Sequence, residues 1–270
     1  MPANTNTNMK LHRINALLIR HLYLYQRSVP RLMDIFFWPI LELLLWGFLS
    51  AYLEKFSLAD FSVVTVLLGA IIFWDLMSQS QRTISTTFLE EVWERNLLNI
   101  FVTPLKLGEF LISSILIAVV RIVVVGAMMA GLAWFLYQFN FLGFGLYLIP
   151  FMINLLVFGW TLGFFTTGII LRFGSAAQVL AFGLVFLLQP FSAVFYPVSV
   201  LPQPLQYLAQ ILPATHVFEG MRAVIATGSL PVVKLFWAFG TNIFYLVLVL
   251  WFFKRMFARV KNKGMLMKLD

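Results

Sequence analysis

The chain has 270 residues, of which 61% are hydrophobic and only 11% are charged, whereas ordinary soluble domains contain about 25% charged residues. A globule of this size cannot bury so much apolar surface, so this composition excludes an ordinary soluble domain and predicts an integral membrane protein. The absence of Cys excludes disulfide scaffolds, thiolate metal sites and Cys nucleophiles. The net charge of +8 is typical of nucleic-acid binding in soluble proteins, but its distribution along this chain has another explanation.

The N-terminal region reads as a polar tail followed by an amphipathic helix. Residues 1–9 are polar and predicted to be disordered, and no secretory signal peptide is evident. Within 10–28, apolar residues recur at helical spacing and Arg13, Arg20 and Arg27 recur every seven residues. This pattern predicts a helix in the membrane interface with its basic side toward lipid phosphates. It serves either as a lipid-surface anchor or as a brace that touches a cytoplasmic partner.

Six segments are long and apolar enough to cross a bilayer core of about 30 Å. They are 33–53, 61–80, 110–137, 144–171, 177–196 and 233–253. Between the last two, residues 197–232 are apolar but are interrupted by five prolines, which is too many for one spanning helix. We therefore expect an all-α membrane protein with two short re-entrant helices at its outer face.

The basic residues predict the orientation of the chain. Most Lys and Arg lie before the first span, between spans two and three, and after the last span. The positive-inside rule then places both termini in the cytoplasm. This topology signal, together with attraction to anionic lipid, explains the net charge without a nucleic-acid partner.

A second amphipathic helix is predicted over 86–102, on the cytoplasmic side. Its apolar stripe includes Trp93, while Glu90, Glu91, Glu94 and Arg95 line the other face, with Glu91 and Arg95 spaced for an i,i+4 pair. Such a helix is suited to receive force from a soluble motor protein. A solvated loop helix explains the residues equally well.

Four charged residues lie in or at the ends of the predicted spans. Asp34 and Asp75 lie near the cytoplasmic membrane surface, whereas Glu42 and Arg121 lie deeper. Because an unpaired charge at mid-depth costs at least about 2.5 kcal/mol, we expect Glu42 and Arg121 to face protein or a polar conduit, with mutual pairing as one option. The three His are scattered, so neither a metal site nor a catalytic triad is expected.

The order of these elements, and two local motifs, resemble the ABC-2 type family of transport permeases. Residues 192–225 carry an aromatic-Pro step at Tyr196-Pro197, two Leu-Pro pairs at Pro202 and Pro213, and a Glu-x-x-Arg helix with Glu219 and Arg222. Residues 93–108 are similar to the family's acidic-aromatic helix followed by Pro-Leu and Gly. The resemblance covers about residues 10–260.

The resemblance implies a non-catalytic permease that pairs with a second copy or a related subunit and binds two cytoplasmic ABC ATPases. The helix at 86–102 corresponds to the coupling helix, and 197–232 to an outer gate that contains Glu219 and Arg222. The implied cargo is amphipathic, lipid-linked or drug-like, with a polysaccharide or glycolipid as the alternative, exported across a bacterial inner membrane. Since the chain lacks a G-x-x-x-x-G-K-[ST] motif, ATP and Mg²⁺ are expected on the partner ATPase.

Two other classes of function compete with this interpretation. A membrane-embedded lipid-modifying enzyme needs clustered catalytic groups at one membrane face, whereas the polar residues here are dispersed. An ion-coupled secondary transporter predicts symmetry between the two halves, and no internal repeat is visible. We expect one transmembrane domain over 10–260 and a basic cytoplasmic tail over 261–270.

Overall fold

A computed structural model describes residues 10–56, 63–140 and 146–262, so the predicted disorder of 1–9 and most of the tail lie outside the described residues. All regular elements in these ranges are helical. The α-helices are α1 (Leu11–Gln26), α2 (Val29–Glu54), α3 (Val63–Trp93), α4 (Leu97–Val102), α5 (Leu107–Tyr137), α6 (Ile149–Phe173), α7 (Gln178–Leu188), α8 (Gln203–Ile211), α9 (Pro213–Thr227) and α10 (Val232–Asn262).

Four helical stretches in the described ranges are long and apolar enough to cross a membrane: Val29–Glu54, Leu107–Tyr137, Ile149–Phe191 and Val232–Asn262. The predicted class of a multi-pass helical membrane protein is confirmed, while six crossings remain a prediction. The stretch Ile149–Phe191 contains both α6 and α7, separated by a 3-10 turn at Gly174–Ala177. Gly174 has a φ of 64°, which glycine adopts without strain, and this residue ends α6.

Helix α3 is polar in its second half and lies at the centre of the molecule. Every residue from 68 to 89 is buried, packed among α2, α5 and α6. Its hydroxyls donate to carbonyls of their own helix, as from Thr83 to Gln79 at 2.6 Å and from Thr86 to Arg82 at 2.8 Å. Because neighbouring helices keep lipid away from it, α3 tolerates a composition that a lipid-exposed helix cannot.

Small residues allow α6 to approach α3 closely. A Cβ added to Gly159 would lie 2.6 Å from the backbone oxygen of Met77, so only glycine fits at this crossing. On its other side α6 meets α10 through a buried amide contact, in which Asn242 donates to the carbonyl of Asn154 at 2.6 Å. These contacts make α3, α6 and α10 one packed unit.

Helix α1 runs alongside α5. The backbone N–H of Lys10 donates to Glu109 at 2.9 Å, and at the other end of α1 the ring of Tyr25 lies 5.6 Å from the Arg121 guanidinium carbon. The prediction that the basic side of α1 faces lipid phosphates is wrong for two of its arginines. Arg13 contacts the carbonyl of Pro104 and Arg20 contacts the carboxylate of Glu91, because protein carboxylates lie within their reach.

The Pro-rich segment between α7 and α10 forms two short helices, α8 and α9, as the sequence predicts. Leu212 is extended, with a ψ of 127°, and separates the two helices. Pro213 then begins α9, where its missing N–H costs nothing. We call residues 197–232 the outer hairpin, after their predicted position. The depth of the outer hairpin in the membrane remains a prediction.

Candidate functional site

The predicted single helix over 86–102 is wrong, since the chain bends between α3 and α4. Helix α3 ends at Trp93 and α4 begins at Leu97. Arg95 between them has a φ of 53°, in the left-handed region, and the backbone N–H of Asn96 donates to the carbonyl of Glu91 at 2.9 Å. We call residues 93–102 the cytoplasmic bend, after the side of the membrane on which the sequence predicts them.

The outer surface of the cytoplasmic bend is accessible and partly apolar. Trp93 is 50% exposed and Val102 is 75% exposed, and Arg95 and Asn99 are also exposed. The side chain of Glu94 is 45% exposed. These residues are available to a partner protein.

Glu91, which the sequence placed on the exposed acidic face, is buried. Its side chain is 2% exposed and forms a two-point contact with the guanidinium of Arg20, whose Nη2 lies 3.1 Å from Oε2. Asn96 donates to the same carboxylate at 2.7 Å. Glu91 therefore joins α1 to the cytoplasmic bend and is not available for contact with an ATPase.

Glu90 and Glu94 also have an arginine partner within the chain. The Nε of Arg31 lies 3.3 Å from Glu90, and its Nη2 lies 3.1 Å from Glu94. The three acidic residues thus connect the end of α3 to α1 and α2.

His21 is buried within this charged contact. Its Nδ1 lies 2.8 Å from the carbonyl oxygen of Leu17, and its Nε2 lies 3.6 Å from Glu91. Burial lowers the pKa of His21 below its ordinary value, and the nearby Arg20 acts in the same direction, although the Leu17 and Glu91 oxygens oppose the shift. Burial therefore disfavours the protonated form of His21.

Glu109 fastens the start of α1 to the start of α5. This carboxylate is fully buried and accepts hydrogen bonds from the backbone N–H groups of Lys10 at 2.9 Å and Lys106 at 2.8 Å. Arg13 lies 3.6 Å from it. The contact with Lys106 caps α5.

A groove of about 350 Å³ lies between α1 and the cytoplasmic bend. Arg13 and Arg20 line it from α1, and Asn96 and Asn99 line it from the bend. This groove and the exposed residues of the bend form one continuous surface.

The intramembrane charges are arranged differently from the proposed pair of Glu42 and Arg121. Arg121 lies 3.7 Å from Asp34, and its Nη2 donates to Gln79 at 3.4 Å. Asp75 is 1% exposed, and its Oδ2 has no hydrogen-bond partner among the described residues. Glu42 is partly buried on α2. Arg121 joins α5 to Asp34 of α2 and Gln79 of α3.

Glu219 and Arg222 in α9 form the ion pair that their spacing predicts, at 3.1 Å. Arg222 also donates to the carbonyls of Ala193 and Val194, and Lys234 lies 3.1 Å from Glu219. Burial acts to raise the pKa of Glu219. Hydrogen bonds from the backbone N–H of Val198 and from the side chains of Lys234 and Arg222 outweigh burial, so the pKa of Glu219 lies below its ordinary value. This network ties α9 to the segment before α8 and to α10.

The prolines and the tyrosine of the predicted outer gate shape the backbone around that network. Pro197 precedes a 3-10 turn, Pro202 precedes α8 and Pro213 begins α9. The hydroxyl of Tyr196 donates to the carbonyl of Pro190 at 2.6 Å. The ring of neighbouring Phe195 stacks on Trp46 of α2 at 4.1 Å.

Several residues that build these sites were not singled out from the sequence. They are Arg31, Gln79, Glu109 and Lys234. The polar run SQSQRTISTT at 78–87 is a signal of a buried, protein-facing helix. Among the residues that the structure describes, no group of three His, Asp or Glu side chains could hold a metal ion.

Comparison with known proteins identifies the family. A search of curated proteins found no significant match. The family model described as ABC-2 type transporter matches residues 13–226, well over half of the chain and from α1 through α9. The chain belongs to the ABC-2 type transporter family and is a membrane permease of an ABC transporter.

Proposed function

We propose that this chain, paired with a second copy of itself, forms the pathway by which an amphipathic substrate leaves the cytoplasm. The energy comes from ATP hydrolysed by a separate pair of ABC ATPase subunits. The family match supports a permease with an associated ATPase. The cytoplasmic bend is exposed and is joined to α1 and α2 by ion pairs. This arrangement supports the proposal that force from the ATPase enters the chain at the bend.

The proposed topology has six crossings, by α2, α3, α5, α6, α7 and α10, with both termini in the cytoplasm. Helices α3, α5 and α10 have 31 residues each and reach about 46 Å, so they extend beyond a bilayer core of about 30 Å. Helix α7 has only 11 residues and reaches about 16 Å, roughly half the core. The fifth crossing is completed by the turns that lead into the outer hairpin.

The cytoplasmic bend is the proposed coupling surface. Trp93, Arg95, Asn99 and Val102 face outward, while Glu91 is held by Arg20 on the inner side. Because the bend continues directly into the buried helix α3, a push on it moves the centre of the molecule. The contacts of Glu90, Glu91 and Glu94 with α1 and α2 carry the same motion to the first crossing.

The test is recruitment of an ABC ATPase subunit that is co-expressed with this chain. We expect the double variant Trp93→Ala, Val102→Ala to lose most of the co-purified ATPase, because it removes the apolar part of the coupling surface and leaves the internal ion pairs intact. The matched control is Tyr207→Ala, which alters a residue of the outer hairpin that is 70% exposed. Co-purification of the double variant at full yield would show that the coupling surface is elsewhere.

A further inference from the structure

A cleft of about 220 Å³ lies where the start of α2, the end of α3, the middle of α5 and α7 meet. We call it the charged cleft, because two cations and two anions line it: Arg31, Asp34, Glu90 and Arg121. The aromatic rings of Tyr25, Trp93 and Phe182 also line it, together with Pro30 and Thr86. Its volume corresponds to about seven water molecules, which is the size range of a small phospholipid headgroup.

Two charged residues of the cleft, Arg121 and Asp34, leave binding capacity unused. Arg121 is 6% exposed, its Nε has no hydrogen-bond partner among the described residues, and its guanidinium lies 3.7 Å from Asp34, too far for a hydrogen bond. The side chain of Asp34 is 40% exposed. A buried guanidinium N–H without an acceptor is costly, so a ligand that supplies one is favoured.

The balance of charge selects the class of ligand. A ligand with a net charge leaves one charge uncompensated in a poorly solvated site, whereas a neutral zwitterion can insert into both ion pairs and preserve the balance. A phosphate suits the guanidinium groups of Arg31 and Arg121. A primary ammonium suits the carboxylates of Asp34 and Glu90 and the adjacent aromatic faces.

Apolar surface continues from the cleft along the two helices that border it. Phe182 is 40% exposed, and one turn further along α7 Phe186 is 51% exposed. On α2, the next turns after Asp34 present Phe37, at 50% exposure, and Leu41, at 39%. In the proposed orientation both helices run from the cytoplasmic surface into the bilayer, so acyl chains can follow them while the headgroup stays in the cleft.

We infer that the charged cleft binds the zwitterionic headgroup of a cytoplasmic-leaflet phospholipid of the phosphoethanolamine class. Its phosphate contacts Arg31 and Arg121, and its ammonium contacts Asp34 and Glu90. This inference rests on the proposed orientation of α2 and α7 but does not require transport. It adds a lipid site that the pore itself does not need.

The test is native mass spectrometry of the purified permease after exchange into detergent with equal amounts of phosphatidylethanolamine and phosphatidylglycerol. The two lipids share the phosphate, and only the first carries the ammonium. We expect wild type to retain phosphatidylethanolamine preferentially. The variant Asp34→Asn, Glu90→Gln should lose that preference by about tenfold or more, because each carboxylate provides a charge-assisted hydrogen bond.

The matched control is Glu54→Gln, at the opposite end of α2, which should keep the wild-type preference. Phe182→Ala removes a wall without altering any charge and should weaken retention of phosphatidylethanolamine, which separates lipid binding from misfolding of the charge variant. Equal retention of both lipids by wild type, or an unchanged preference in the charge variant, would overturn the inference. Displacement by soluble phosphoethanolamine at equal concentration would also overturn it, since the ligand would then be a water-soluble zwitterion.

Discussion

Neutralising the three glutamates at the end of α3 one at a time should destabilise the attachment of α1 and α2 to α3 in proportion to the burial of each glutamate. The side chains of Glu91, Glu90 and Glu94 are 2%, 19% and 45% exposed, and each has an arginine partner in α1 or α2. Substituting Gln keeps the shape and removes the charge. Burial is therefore the main variable in this series.

The expected magnitudes follow from the contacts. Breaking a buried ion pair costs about 3–5 kcal/mol, but Arg20 remains 33% exposed, so water recovers part of its solvation and Glu91→Gln should cost about 2–3 kcal/mol. Glu90→Gln should cost about 1 kcal/mol, and Glu94→Gln should fall within the 0–1 kcal/mol range of exposed pairs.

The assay exploits the absence of Cys from the chain. A single cysteine at Ile14, a residue of α1 that is 4% exposed, reports detachment of α1 through its rate of maleimide labelling. We expect labelling to accelerate strongly in Glu91→Gln. It should hardly change in Glu90→Gln, because the partner Arg31 lies in α2, or in Glu94→Gln, because its contact with Arg20 is exposed. Equal labelling rates in all three variants would refute the reasoning that Glu91 holds α1 in place.

Three further predictions concern other contacts. Gly159→Ala should lower the free energy of unfolding by about 1–3 kcal/mol, because the added Cβ would lie 2.6 Å from the backbone oxygen of Met77. Gly131→Ala is the matched control, since Gly131 has open space around it, and it should be neutral or stabilising in the same thermal melt. Glu109→Gln should cost about 1.5–3 kcal/mol by weakening two backbone hydrogen bonds, and an unchanged melting temperature would contradict this. Burial lowers the pKa of His21 in the folded chain. At pH values below the ordinary pKa of about 6.5, the unfolded chain therefore binds a proton more readily than the folded chain, and the free energy of unfolding should fall as the pH falls. The variant His21→Gln should show a smaller fall over the same pH range.

The sequence predicts the architecture well where the physical signal is local. Long apolar runs identify α2, α5, α6 and α10 as spans, because the residues that cross the lipid are consecutive in the sequence and must all be compatible with an apolar environment. The prolines mark the outer hairpin, and the spacing of Glu219 and Arg222 marks their ion pair, because both depend on neighbouring residues.

Contacts between distant segments were not predictable from the sequence. The pattern of Arg13 and Arg20 indicates a basic helical face, but nothing local indicates that Glu109 and Glu91 lie opposite it. The bend at Arg95 was missed because the apolar stripe continues on both sides of it. The partner of Arg121 proved to be Asp34, since the packing of α2 against α5 decides which carboxylate comes within reach.

The central claim is that the cytoplasmic bend lies on the opposite side of the membrane from the outer hairpin. Single cysteines at Asn99 and Tyr207, introduced as Asn99→Cys and Tyr207→Cys, test it through labelling of oriented vesicles with a membrane-impermeant maleimide. We predict that the cysteine at 99 reacts only from the cytoplasmic side and that the cysteine at 207 reacts only from the outside. Reaction of the cysteine at 99 from the outside would place the proposed coupling surface beyond the reach of any cytoplasmic ATPase.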